Sequence, residues 1–378
     1  MTKVQVKKVS SNEEMTLFVR FPFSLYRGCE QFVPDLNRDV YDTFNPKKNS
    51  ALTIAKVQPF LAWQNGEVVG RIAGIINQNA NKKWGTKNVR FGFIDFIDDL
   101  DVSRALIEAV EKWGAEQGME RIQGPMGITD FDKEGMLVED FEREGMMTEI
   151  YNYPYYPEHM KALGFEKEAD WLHIRVAVPA EVPAKYARVA ALSGEMFGLH
   201  VVKYNSTQLL GEKGHEVFRL MNKAYEPLFG FTAFTENQIN DFLKQYVPII
   251  DTELIPCVVN EDDELVAAAV TIPSLSKAMK KVNGHLLPLG WWHIMRALKW
   301  RHEDTVQLLL IAVRPDLQGM GVNALIFNDL IPVFNRKGFR YAETGPQLED
   351  NVKELSQWKP LGPEKIKRRR CWCKEIGK

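Results

Sequence analysis

One series of elements is written twice in this 378-residue chain. Residues 60–76 read FLAW-QNGE-VVGRIAGII, two apolar runs about Asn65-Gly66. That pair tolerates the positive φ of a two-residue hairpin turn better than most. Residues 255–272 read IPCVV-NEDDE-LVAAAVTI, a second hairpin with a longer acidic turn. A strand, a helix and a strand follow each hairpin, at 90–97, 103–117 and 120–123 in the first half and at 307–313, 319–337 and 339–344 in the second. GMERIQGP at 118–125 matches GFRYAETGP at 338–346, and MKALGF at 160–165 matches WKPLGP at 358–363. Self-similarity on this scale indicates a duplicated fold. In the first copy Ala105, Leu106, Ala109, Val110 and Trp113 recur at helical spacing, so one helix face is buried. A strand–helix–strand unit of this length favours parallel pairing through a right-handed crossover.

A chain of this length exceeds one ordinary core and suits two domains of roughly 150–200 residues. The expected boundaries are 1–178 and 185–378, joined by the proline-bearing stretch AVPAEVPA at 177–184. Lys+Arg 48 against Asp+Glu 50 leaves a formal charge of -2, which gives no electrostatic footprint for a nucleic-acid binder. Cys29, Cys257, Cys371 and Cys373 are too few and scattered for a disulfide framework, which favours a reducing cytosol. The start MTKVQVKKVSSNEE is polar throughout, and apolar runs such as 265–272 are strand-sized rather than span-sized. The expectation is a cytoplasmic protein without membrane or nucleic-acid partners. The segment 285–300 reads as an amphipathic surface or groove-lining helix, with membrane contact as the lesser alternative, and its tryptophans Trp291 and Trp292, with Trp300, read as core or as the wall of an acyl or acceptor pocket.

After the strand QLLLIAV comes RPDLQGMGVNALIFNDL. Pro315 stops the strand, and Gln318, Gly319 and Gly321 open a helix whose apolar face is Val322, Leu325, Ile326 and Leu330. Glycines let the backbone approach a ligand, and a helix start leaves several N–H groups unpaired. Those donors and the positive end of the helix dipole make a site for a diphosphate.

These residues resemble the cofactor loop of the GCN5-related N-acetyltransferase superfamily, Val-x-Pro-x-x-Arg/Gln-Gly-x-Gly-x-Gly/Ala. Val313, Pro315, Gln318, Gly319 and Gly321 match, and Asn323 departs from the usual small residue. A second family pattern, Asn, an aromatic seven residues on and Gly eleven residues on, fits Asn351, Trp358 and Gly362. The usual aromatic there is a Tyr serving as general acid, a role that an indole cannot take. The resemblance covers 255–375 well and 60–176 more loosely. It implies an α/β (α+β) fold of two tandem acyl-CoA N-acyltransferase domains, each a mixed sheet splayed at its middle and flanked by helices. It also implies acetyl-CoA, or another acyl-CoA, held by Ala312, Val313, Gln318, Gly319, Met320, Gly321, Val322, Asn323 and Asn351, with pantetheine along the 307–313 strand.

Glu343, on the strand FRYAET, is the candidate base toward an amine, with a solvated or salt-bridged glutamate as the plainer alternative. The run Lys365, Lys367, Arg368, Arg369 and Arg370 reads as the solvated face of a terminal strand, with a cofactor phosphate as its other candidate partner. No metal-ligand spacing is present among the seven histidines, and Cys371 and Cys373 lack His or Cys neighbours. In the first copy Asp98, Asp99 and Asp101 stand where the glycine loop would be, so that copy is expected to bind no CoA. An acidic insertion at 127–148 is expected to reach toward the other half. Two functions remain open: acyl transfer, in most cases acetyl, to an amine of a small molecule or peptide, or a non-catalytic CoA-binding sensor or scaffold. A homodimer is the expected assembly.

Overall fold

The structure, a computed structural model, describes residues 3–129 and 131–377. The first repeat runs β1 (Gln5–Lys8), α1 (Asn12–Leu25), α2 (Asn37–Thr43), β2 (Ala55–Gln64), β3 (Glu67–Asn77) and α3 (Gln78–Trp84). It continues with β4 (Asn88–Phe96), α4 (Leu100–Glu116), β5 (Arg121–Gly124), β6 (Met136–Glu139), α5 (Tyr155–Ala162) and β7 (Glu166–Ala177). The second runs α6 (Ala184–Phe197), β8 (His200–Val202), α7 (Ser206–Leu210), α8 (Glu212–Ala224), α9 (Glu236–Tyr246), β9 (Cys257–Val259) and β10 (Leu265–Pro273). Then come α10 (Ser276–Val282), α11 (Gly290–Lys299), β11 (Thr305–Val313), α12 (Val322–Lys337), β12 (Tyr341–Thr344), β13 (Gln347–Leu348), α13 (Val352–Ser356) and β14 (Glu364–Glu375). The chain forms two compact units. Unit 1 comprises Met1–Trp171, Met279–Gly290 and Lys367–Lys378, and unit 2 comprises Leu172–Ala278 and Trp291–Ile366.

In unit 1, β2 and β3 pair antiparallel around Asn65 and Gly66, both at positive φ, as the hairpin signal requires. β3 pairs antiparallel with β4, and β4 runs parallel to β5 through the crossover helix α4. That helix is capped by Asp99, whose side chain accepts from the Asp101 amide, and it buries Val102, Leu106, Ile107, Val110 and Trp113. Its close approach depends on glycine: a Cβ at Gly70 or Gly74 would come within 2.8 Å of Leu106 or 2.7 Å of Trp113. Each large apolar side chain fully buried here stabilises by about 1.5–3 kcal/mol.

In unit 2, β10 pairs antiparallel with β9 and β11, and β11 runs parallel to β12. Each sheet face has its own core. Ala267 and Ala269 face α6 and α12, while Ala268 and Cys257 face α8 and α9. The period-2 alternation of a strand buried on both faces accounts for the alanine run.

The repeats do not close their own sheets. β5 of the first repeat is flanked by the end of β14, Trp372 opposite Gly124. β12 of the second repeat is flanked by the end of β7, Val176 opposite Ala342. Each repeat thus lends its last strand to the other's sheet. This is why the compact units depart from the expected division at 178/185 and why 367–378 group with the first unit.

The exchanged strand also changes the reading of the basic run. Lys367 and Arg369, 2% and 1% exposed, both reach the buried Glu149, at 2.7 and 3.0 Å. Arg368 and Arg370 turn the other way onto Asp170, at 2.9 and 2.7 Å. Lys365 is exposed, but from Lys367 to Arg370 the run is neither a solvated face nor a phosphate site. There, alternation along the strand feeds the cations to two buried carboxylates. Within the expected acidic insertion, Glu139 pairs with Arg368 at 3.0 Å, so this part of it serves β14 inside unit 1.

Candidate functional site

The strand-to-helix turn of unit 2 departs from ordinary secondary structure in three places. First, the ladder between β10 and β11 slips between Val270 and Thr271, which face Leu310 and Leu308, so Leu309 is an extra residue. A bulge of this kind re-aims backbone groups at a sheet's working edge. Second, β11 pairs with β12 only over Thr305–Leu308, and among the described residues the stretch Leu309–Val313 has no strand on that side. Third, Pro315–Leu317 forms a single 3₁₀ turn and Gly319 and Gly321 take φ of 81° and 83°. These positions favour glycine. Among the described residues no backbone carbonyl meets the amides of Gly319, Gly321, Val322 or Asn323.

The turn is braced from several sides. Gln318 Nε2 donates to the Val313 carbonyl at 3.1 Å, and Ser193 Oγ of α6 donates to the Met320 carbonyl at 2.7 Å. A Cβ at Gly321 would stand 2.5 Å from Val189 and 2.6 Å from the Ser193 hydroxyl, whereas Gly319 has nothing within 4 Å. Gly321 is therefore demanded by helix packing, and Gly319 faces open space. Met320 is exposed, Ala312 and Val313 are buried, and Asn323 Nδ2 donates to Gln357 Oε1 at 2.8 Å.

Tyr225, the C-cap of α8, reaches the uncovered edge of β11. Its hydroxyl donates to the Ile311 carbonyl at 2.9 Å and accepts from the Ile311 amide at 3.2 Å. Burial, with the Glu354 charge as a smaller cause, raises its titration well above an ordinary tyrosine's. Burial likewise pushes the Glu354 carboxyl up to about 7, opposed by Gln357. The second sequence pattern converges on this carboxylate. Asn351 caps α13 by accepting from the Glu354 amide at 3.3 Å. Trp358, fully buried, donates its indole N–H to Gln347 Oε1 at 3.1 Å, and Gln347 Nε2 donates to Glu354 Oε1 at 3.2 Å. The aromatic at the family's acid position therefore anchors a relay that holds a carboxylate. Gln307 on β11 is 1% exposed, and neither of its amide atoms has a hydrogen-bond partner among the described residues.

Glu343 lies on β12 with its carboxylate 3.4 Å from Arg175, whose guanidinium stacks on Tyr341 at 3.8 Å. Neither Tyr225 nor Glu354 was singled out in the sequence. Glu354 there looks like an ordinary acid in a first helical turn, and Tyr225 stands more than eighty residues from the loop. Trp291, Trp292 and Trp300, expected in a core or pocket wall, are exposed. Unit 1 has an open cleft of about 500 Å³ lined by Arg27, Cys29, Glu30, Tyr151 and Tyr153, which contains none of the motif residues.

No family model matches the chain. Protein YghO of Escherichia coli is 26% identical over 98% of this chain and 95% of its own length. The bacterial ceramide synthase of Caulobacter vibrioides is 25% identical over 83% of this chain and 82% of its own. Among solved structures, a tandem GNAT protein from the clavulanic acid biosynthesis pathway matches with a TM-score of 0.59 at 12% identity, over 100% of this chain and 99% of that one. A GCN5-related N-acetyltransferase from Sphaerobacter thermophilus matches with a TM-score of 0.51 at 12% identity, over 99% and 96%. The chain carries the tandem fold of the GCN5-related N-acetyltransferases, two copies in one polypeptide.

Proposed function

We propose that this chain is an acyl-CoA-dependent N-acyltransferase whose working site lies in unit 2. The observation that carries the reading is the union of a strand edge that no neighbouring strand covers and an open row of amides on the turn that follows. The edge is that of Leu309–Val313, where among the described residues side chains alone, Tyr225 on Ile311 and Gln318 on the Val313 carbonyl, meet the backbone. The turn row is the free amides of Gly319, Gly321, Val322 and Asn323. A thioester with a diphosphate tail is complementary to both, and the unpaired Gln307 amide offers a further donor and acceptor. Ala312, Val313, Gln318 and Met320 frame that path, and Asn351 acts through the cap it gives Glu354. Acyl-CoA supplies the activated acyl group.

The chain's own residues do the rest. The bulge at Leu309 turns a backbone amide toward the developing negative charge. Glu354, held near neutrality, is part ionised at pH 7 and takes the proton from the incoming amine. Tyr225 stays protonated and its hydroxyl sits on the uncovered edge, so position rather than acidity makes it the group we assign to give a proton to the departing sulfur. We assign the base to Glu354 over Glu343, because Arg175 already engages the latter.

For the acceptor we propose a primary amine carried on a long alkyl chain. The support is the likeness to a bacterial ceramide synthase, since a ceramide is the amide of a long-chain amino alcohol. A thiol-release assay should compare acetyl-CoA and longer acyl-CoAs across short amines, peptides and long-chain amino alcohols. Release with a long-chain amine, lost in Tyr225→Phe, supports the reading. CoA binding without release from any amine favours the sensor or scaffold.

A further inference from the structure

Residues 276–302 contain six Lys or Arg and no Asp or Glu, although acids outnumber these bases 50 to 48 in the whole chain. Within this stretch α11 faces outward in an unusual way. Successive residues advance by about 100° around a helix, so Trp291, Met295, Lys299, Trp292 and Arg296 fall on one arc. Ala297 on the opposite side and Leu298 at the margin of the arc beside Trp291 are buried. A surface helix ordinarily turns its polar side to water. Here Trp291, Trp292 and the following Trp300 are 48%, 43% and 62% exposed, with Trp292 lying 5.9 and 5.4 Å from the other two rings. Leu287 and Leu289, on the chain entering the helix, are exposed as well. Arg296 and Arg301 form no salt bridge among the described residues.

We propose that α11 and Trp300 form a docking surface for an anionic phospholipid bilayer, contrary to the expectation from composition. Indoles favour the headgroup level, where the ring is apolar and the N–H is wet. Arg296 and Arg301 are placed to meet lipid phosphates while their stems stay among the indoles, and Lys299, whose ammonium donates to the Ile250 carbonyl at 3.3 Å, adds its charge to the same face. Charge chooses this occupant. A second copy of the chain would set these cations against themselves across a two-fold axis. No helix among the described residues is long and apolar enough to cross a membrane, so the attachment is interfacial. The inference does not rest on the acyl-transfer reading, and its test reads binding rather than turnover.

The full chain is sedimented with phosphatidylcholine vesicles, with and without phosphatidylglycerol, at low and high salt. Binding should require the anionic lipid and weaken as salt rises. The triple variant Trp291→Ser, Trp292→Ser, Trp300→Ser should lose at least about tenfold in partitioning. The variant Arg296→Gln, Lys299→Gln, Arg301→Gln should lose on the order of fivefold per cation removed. Both variants should keep the parent's unfolding midpoint. Failure of the parent to bind anionic vesicles overturns the proposal, as does full binding by the tryptophan variant. A parent dimer that this variant dissociates, without vesicle binding, assigns the face to a second copy and also overturns it.

Discussion

In unit 1 the free edge of β4 is closed by its own chain. The Met126 amide donates to the Phe91 carbonyl at 2.9 Å, the Tyr156 hydroxyl accepts from the Phe96 amide at 3.0 Å, and the Tyr155 hydroxyl donates to the Phe96 carbonyl at 2.6 Å. At the turn that follows, Asp98 meets His159 at 3.1 Å and Asp99 caps α4. In unit 2 the matching edge receives the Gly345 amide on the Leu308 carbonyl and one hydroxyl, Tyr225, on Ile311. Its turn then leaves the amides of Gly319, Gly321, Val322 and Asn323 without backbone partners. Buried polar groups are normally satisfied, so a copy that meets its edge and turn with its own side chains and loops is built as structure, and a copy that leaves the turn amides open has room for a ligand.

The contrast breaks most sharply at Glu354. Glu354→Gln should lower kcat by about 10²–10⁴-fold with CoA affinity intact. The parent's rate should rise with pH through about 7, as the carboxyl ionises. Stability should move the opposite way. The folded carboxyl titrates at about 7, above its ordinary 4.5, so the unfolded chain releases its proton first. Glu354 therefore subtracts stability as pH climbs from about 4.5 to about 7, and the Gln variant should be the more stable protein at pH 8. A flat rate profile in the parent would sink the base assignment.

Unit 1 should respond to lost charge as structure does. Glu149→Gln leaves Lys367 and Arg369 buried without their carboxylate, and urea unfolding should report a loss of about 3–5 kcal/mol. A loss under about 1 kcal/mol would mean that water reaches these cations.

The two loop glycines should separate. Gly319→Asp meets open space and should cut CoA affinity by about 10–100-fold through charge against phosphate, while the left-handed φ costs about 1 kcal/mol of stability. Gly321→Ala also presses on Val189 and Ser193 and should lower stability by about a further 1–3 kcal/mol. Equal stability losses in both would erase the distinction. The smallest effect belongs to Asp99→Asn, because Asn caps a helix about as well as Asp. Calorimetry should find CoA affinity unchanged, and a gain in binding would show unit 1 to be a masked second site.

Much of this was legible in the sequence because it is local. Asn65-Gly66 sets a hairpin, and Pro315 with Gly319 and Gly321 sets a strand stop and a turn, by rules that span a few residues. What was missed depends on distant partners. The Lys367–Arg370 run looks solvated until Glu149 and Asp170, roughly two hundred residues earlier, come beside it. The strand exchange has no local signature either, since β7 and β14 read alike whichever sheet they complete. Glu354 and Tyr225 gain their character from burial that α8 and α13 create only once folded.

Calorimetric titration of the full chain with CoA, set beside Gly319→Asp, tests the central claim most directly. The account predicts one CoA per chain for the parent and binding weakened at least tenfold in the variant. Two CoA per chain, or an undiminished titration in Gly319→Asp, would contradict it.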